Sequence, residues 1–131
     1  MNKLNITIAG LGNVGSALVS SIENLNKSSL HRSNSINILG ISARSKRKKR
    51  SFDISNYNWV ENPLDLISLK KCNVLVELIG EDKGISFNLI KKALEKNIHV
   101  VTGNKALIAN HGKDLFKIAE KNQVLLLYEA A

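Results

Sequence analysis

Residues 4–25 read LNITIAGLGNVGSALVSSIENL, and no other stretch narrows the choice of fold so far. The run from Leu4 to Gly10 is apolar, rich in β-branched residues and closed by a glycine, which predicts a buried strand. Val14, Leu18, Ile22 and Leu25 then recur at helical spacing, which predicts a helix from about Asn13 to about Leu25. Only Leu11 and Gly12 separate the two elements. The alternation continues down the chain. Strands are expected over 36–43, 72–80, 98–103 and 123–130, and helices over 86–96 and 105–122. The second helix carries Leu89, Ile90, Ala93 and Leu94 on one stripe; the third carries Leu107, Ile108, Leu115, Ile118 and Ala119. A short helix is expected at 62–67, with Asn62 as its cap and Pro63 at its first position. Residues 26–35 and 44–58 read as loops. The strand cores are continuous apolar runs, so their sheet is covered on both faces. These features predict an α/β domain of three layers around a mostly parallel sheet of about five strands.

The chain has 131 residues, enough for one domain over 1–131 with a real core. With 44% hydrophobic and 23% charged residues, it has the composition of a soluble globular protein. No apolar run approaches the roughly 20 residues of a membrane span, and the N-terminus lacks the features of a signal peptide. Cys72 is the only cysteine, which rules out an intramolecular disulfide and makes a reducing, cytoplasmic setting the default. The expected strand at 123–130 is followed by neither helix nor polar tail, which suggests a fragment of a longer protein.

Gly10, Gly12 and Gly15 form G-x-G-x-x-G between the first strand and the first helix, the context in which this motif binds dinucleotides. Gly10 permits the tight turn, a side chain at Gly12 would block a pyrophosphate, and Gly15 lets the helix pack on the strand. The stretch Gly10, Leu11, Gly12, Asn13, Val14, Gly15 then offers free main-chain N–H groups to the anion. The alternative is a glycine turn with no ligand. The strand–turn–helix context favours a Rossmann-type fold with a dinucleotide cofactor.

The second expected strand leads into six cations, Arg44, Lys46, Arg47, Lys48, Lys49 and Arg50, and no acid occurs between Glu23 and Asp53. In this architecture the residue after that strand reads the adenosine ribose: an acid there selects NAD, and an arginine accepts the 2′-phosphate of NADP. Arg44 and Ser45 occupy the position, so NADP is expected to bind better than NAD. A nucleic-acid patch is a rival reading of the run, but no aromatic residue is interleaved with it and no nucleic-acid fold accompanies it. A second rival is a solvated loop in which only Arg44 is engaged.

Three further segments, NVLVELIG (73–80), HVVTGNKALIANHGKDLFKIAEK (99–121) and LLYEAA (126–131), join the glycine loop in a pattern that closely resembles the nucleotide-binding part of homoserine dehydrogenase. The Thr-x-Asn-Lys-Ala-Leu run followed by His-Gly carries most of the specificity. The resemblance implies hydride transfer between L-homoserine and L-aspartate 4-semialdehyde, a branch-point step toward threonine and methionine. It also implies a substrate and dimerisation region beyond this chain, and a homodimer when complete. It places Thr102 and Asn104 by the nicotinamide, Lys105 near the reacting oxygen, and Glu129 at a structural sodium site. Gly103 stands where the family usually has alanine, which should loosen the loop. Gly80-Glu81 replaces a common double glycine, and Glu81 and Asp82 add negative charge near the cleft. A stand-alone NAD(P)-binding regulatory module without catalysis is the alternative function.

Lys105 reads either as an exposed lysine in a first helical turn or as a catalytic group. In the catalytic reading it either moves the hydroxyl proton or acts as a fixed cation polarising the carbonyl. Asn104 also reads as a helix cap. Glu77, inside an apolar strand, needs a partner; it is either a structural acid or a contact to the cofactor or to the absent region. His111 reads as helix packing, His31 and His99 as surface or strand-edge groups, Cys72 as a small core residue, and Tyr57 and Trp59 as cover for a sheet edge.

Overall fold

The computed structural model describes residues 4–28, 35–80 and 84–128. Five strands, β1 (Leu4–Ala9), β2 (Ile36–Ser42), β3 (Val74–Glu77), β4 (His99–Thr102) and β5 (Leu126–Tyr128), form one sheet in the order β2-β1-β3-β4-β5. Every pairing is parallel. Three helices, α1 (Asn13–Lys27), α2 (Ile85–Glu95) and α3 (Lys105–Lys121), alternate with them. The expected short helix is a 3₁₀ segment, Pro63–Ser68, and Asn62 caps it by accepting from Leu64 N–H at 3.0 Å. No described helix is long and apolar enough to cross a membrane.

Each face of the sheet carries its own core. On one face α1, through Val19 and Ile22, packs on Ile6, Ile8 and Val76. On the other, α2, α3 and the 3₁₀ segment enclose Leu75, Val100 and Leu126. The helix expected from the spacing is present, with Gly15, Val19 and Ile22 buried and Val14 68% exposed. Gly15, without a side chain, makes the closest approach. Cover of the α1 face is also incomplete. Val101, Leu125 and Leu127, beyond the reach of α1, are exposed.

All five observed strands are shorter than expected, β3 and β5 the most. Leu78 N–H still bonds Ala9 O at 2.7 Å, but Ile79 N–H turns back to the Glu77 side chain, so β3 ends as its apolar run continues into a loop. The run at 123–130 begins with Gln123 at φ +57°, which closes the α3 turn before β5 starts. Trp59 bridges Ile41 on the outer side of β2 and covers that border as expected, whereas Tyr57 packs edge-on to Phe52 and donates to Glu23 of α1. His111 lies against Phe87 between α3 and α2, and His99 accepts from Leu125 N–H at the β4–β5 edge. His31, Glu81, Asp82 and the proposed sodium ligand Glu129 lie outside the described residues.

Candidate functional site

The order of the strands reverses between β1 and β3: the chain leaves β1 toward one border, then returns past it to build toward the other. The loops leaving the two strands at such a point diverge and open a crevice at their carboxyl ends. Here that crevice is a cleft of about 560 Å³. Gly10, Leu11 and Gly12 form one wall, Leu78, Ile79 and Ile85 another, and Ser42, Ala43, Arg44 and Ser45 the far end.

The glycines divide their work as their spacing suggests. Gly10 has φ +102°, and a Cβ there would lie 2.6 Å from the Leu78 carbonyl. A Cβ on Gly15 would come 2.2 Å from Gly10 O. A Cβ on Gly12 would meet no protein atom within 4 Å, because that position faces the cleft. Gly12 is also the N-cap of α1, and no side chain caps the helix. The first N–H groups of a helix have no partner within it, so Asn13, Val14 and Gly15 carry donors suited to an anion. Space beside Gly12 and uncapped donors next to it fit a diphosphate.

Of the six cations, Arg44, Lys48 and Arg50 line the cleft, whereas Lys46, Arg47 and Lys49 do not. Glu61 is the one carboxylate along its described lining, held by Trp59 Nε1–H at 3.2 Å. Lys48, Arg50, Glu61 and the apolar wall of Leu78, Ile79 and Ile85 line the cleft but are not among the site residues expected from the sequence. The continuation of the apolar run past Glu77 was the one available signal for that wall.

Thr102, Asn104 and Lys105 sit together at the carboxyl end of β4, outside this cleft. Thr102 is 1% and Asn104 3% exposed, and both side chains are committed to protein partners. Fully buried Glu77 accepts from Ser86 Oγ at 3.1 Å, from Ile79 N–H at 2.9 Å and from the Thr102 hydroxyl. Thr102 Oγ1 in turn accepts from Asn104 N–H at 3.0 Å, and Asn104 Oδ1 caps α3 at Leu107 N–H. This chain joins β3, α2, β4 and the start of α3, so Glu77 is a structural acid. Gly103 N–H donates to Glu77 O at 3.0 Å, which ties down the corner that glycine was expected to loosen. Lys105 is the first residue of α3 and is exposed, so this chain alone does not bury its amine. Burial pushes the Cys72 thiol above its ordinary pKa, in keeping with an inert core residue.

A glycine turn that leaves room for a ligand only at its middle position, beside an uncapped helix at a strand-order reversal, defines a Rossmann-type NAD(P)-binding domain. Residues 10–129 match the family model described as homoserine dehydrogenase, NAD binding domain, and the chain belongs to that family. It is 34% identical to the homoserine dehydrogenase of Neisseria gonorrhoeae over 132 aligned residues, covering 100% of this chain and 30% of that protein. Among solved structures, S. aureus homoserine dehydrogenase at pH 7.0 superposes with a TM-score of 0.87 at 37% identity, covering 99% of this chain and 33% of that one. A hyperthermophilic archaeal homoserine dehydrogenase in complex with NADPH gives a TM-score of 0.73 at 28% identity, covering 98% and 44%. The chain therefore spans about a third of the length of the first two of these relatives.

Proposed function

We propose that this chain is the cofactor-binding part of a homoserine dehydrogenase that prefers NADPH and interconverts L-homoserine and L-aspartate 4-semialdehyde, as a homodimer when complete. The observation that carries the cofactor reading is the shared cleft: Arg44 and Ser45 line the same space as the uncapped start of α1. In this reading the N–H groups of the Gly10–Gly15 turn hold the diphosphate. Arg44 and Ser45 take the 2′-phosphate, for which a guanidinium fork is suited. The nicotinamide, when bound, supplies hydride acceptance and donation. The solved relative crystallised with NADPH supports the choice of coenzyme.

The chain's own residues account for the rest. Thr102 and Asn104, held through Glu77, fix the corner beside the nicotinamide. Lys105 projects from that corner toward the substrate oxygen. Its amine takes the hydroxyl proton during oxidation and returns it during reduction, while the substrate-binding region supplies the burial that this chain lacks. Titrating the complete protein with NADPH and NADH, followed by cofactor fluorescence, tests the first part. Equal affinities would remove the role of Arg44. Lys105→Ala should lower turnover by about a hundredfold or more and leave NADPH affinity unchanged; full turnover would end the proton-transfer role.

A further inference from the structure

Arg50 has no part in the reading above, yet its guanidinium is engaged by four main-chain carbonyls. Its Nε–H donates to Leu11 O at 3.3 Å, Nη1 to Lys48 O at 3.0 Å and Lys46 O at 3.5 Å, and Nη2 to Ser45 O. Its Cζ lies 5.7 Å from the centre of the Trp59 ring. A guanidinium has five N–H donors, and these contacts use four of them. All the acceptors are main-chain carbonyls, so none cancels its charge.

The acceptors fall in two places. Ser45, Lys46 and Lys48 belong to the basic loop, and Leu11 belongs to the glycine turn. A loop crowded with like charges repels itself and tends to open. Arg50 opposes that by drawing the loop's carbonyl dipoles inward around one cation and fastening the result to the turn at Leu11. Ser20 Oγ and Ser51 Oγ, 2.9 Å apart, add a second tie between loop and α1. Trp59, anchored on β2, supplies a flat surface beneath the guanidinium.

We infer that Arg50 is a positioning residue for coenzyme selectivity. It shapes the basic loop so that Ser45 and Lys48 face the 2′-phosphate, and it does so by main-chain contacts rather than as the principal phosphate ligand. This rests on the NADP reading proposed above. Lysine cannot replace Arg50, because an ammonium keeps the charge but lacks the planar fork that reaches four carbonyls at once.

The test uses the complete protein that carries this chain. NADPH and NADH dissociation constants are measured for wild type, Arg50→Lys, Lys48→Ala and the double variant, with hydrogen exchange of residues 44–51 followed by mass spectrometry. In Arg50→Lys, NADPH affinity should fall about tenfold and NADH affinity by less than about threefold, with faster exchange in the loop. The double variant should bind NADPH little worse than Arg50→Lys alone, since a displaced loop no longer presents Lys48. Retained NADH binding certifies the fold. Trp59→Leu, which removes only the ring, should give the same bias at smaller size. A wild-type preference for NADPH that survives Arg50→Lys would overturn the role of Arg50 alone. Additive losses in the double variant would instead make Arg50 an independent phosphate ligand. Equal wild-type affinities would sink the NADP reading and this inference together.

Discussion

Gly15 packs on Gly10 so tightly that a single added carbon would stand 2.2 Å from the Gly10 carbonyl oxygen. Gly12, between them, faces only the cleft. Alanine should therefore separate folding from binding at the two positions. Gly15→Ala should cost about 1–3 kcal/mol through overpacking, seen as a lower urea midpoint. Gly12→Ala should stay within about 1 kcal/mol of wild type, the usual cost of alanine at an N-cap, while coenzyme affinity drops at least about tenfold. A Gly12→Ala protein with normal affinity would refute the placement of the diphosphate.

Glu77 offers a second separation. Alanine there leaves Ser86, Thr102 and the Ile79 N–H without their acceptor in a buried site. At about 1–3 kcal/mol for each orphaned group, the loss should exceed about 3 kcal/mol. Glu77→Gln keeps the volume and one acceptor, and should lose less than half as much. Denaturant melts of both variants decide this; equal losses would show that shape rather than hydrogen bonding governs the corner.

Lys71, Asn97 and Gln123 have φ of 70°, 63° and 57°, each in the turn that precedes a strand. This left-handed region costs a residue with a Cβ roughly 1–2 kcal/mol, less for asparagine. Glycine removes that cost but adds about 0.5–1 kcal/mol of chain entropy in the unfolded state. Lys71→Gly and Gln123→Gly should each stabilise by up to about 1 kcal/mol, and Asn97→Gly should be near neutral. Thermal melts that rank Asn97→Gly first would contradict the argument.

Partial burial, and the hydroxyl it donates to Glu23, raise the Tyr57 pKa well above the ordinary phenol value. The folded protein therefore keeps a proton that the unfolded chain releases near pH 10. The Tyr57 contribution is whole below about pH 10 and declines as pH rises further. Melting temperatures from pH 8 to 11 should fall less steeply for Tyr57→Phe than for wild type. Parallel curves would mean that the pair with Glu23 adds nothing.

The fold was legible because its signals are local. Apolar runs gave all five strands, helical spacing gave α1 to α3, and Asn62 and Asn104 announced their caps as side chains must. The glycine turn was legible for the same reason, since its three positions answer to backbone geometry alone. What escaped is long-range. Nothing near Arg50 says that its partner will be Leu11, 39 residues away, and nothing near Glu77 names Thr102, 25 residues on. Which of the helically spaced residues face the sheet was not legible, because spacing gives the period of a helix but not its rotation, which Gly15 decides.

The sheet's two borders are unequal. Beside β2, Ile41 N–H bonds Asn58 O and its carbonyl accepts from Val60 N–H, so the carboxyl end of that border is occupied by the chain's own backbone. Beside β5, the described residues pair with β4 alone. An additional strand therefore meets less obstruction along Leu126–Tyr128, at the border opposite β2.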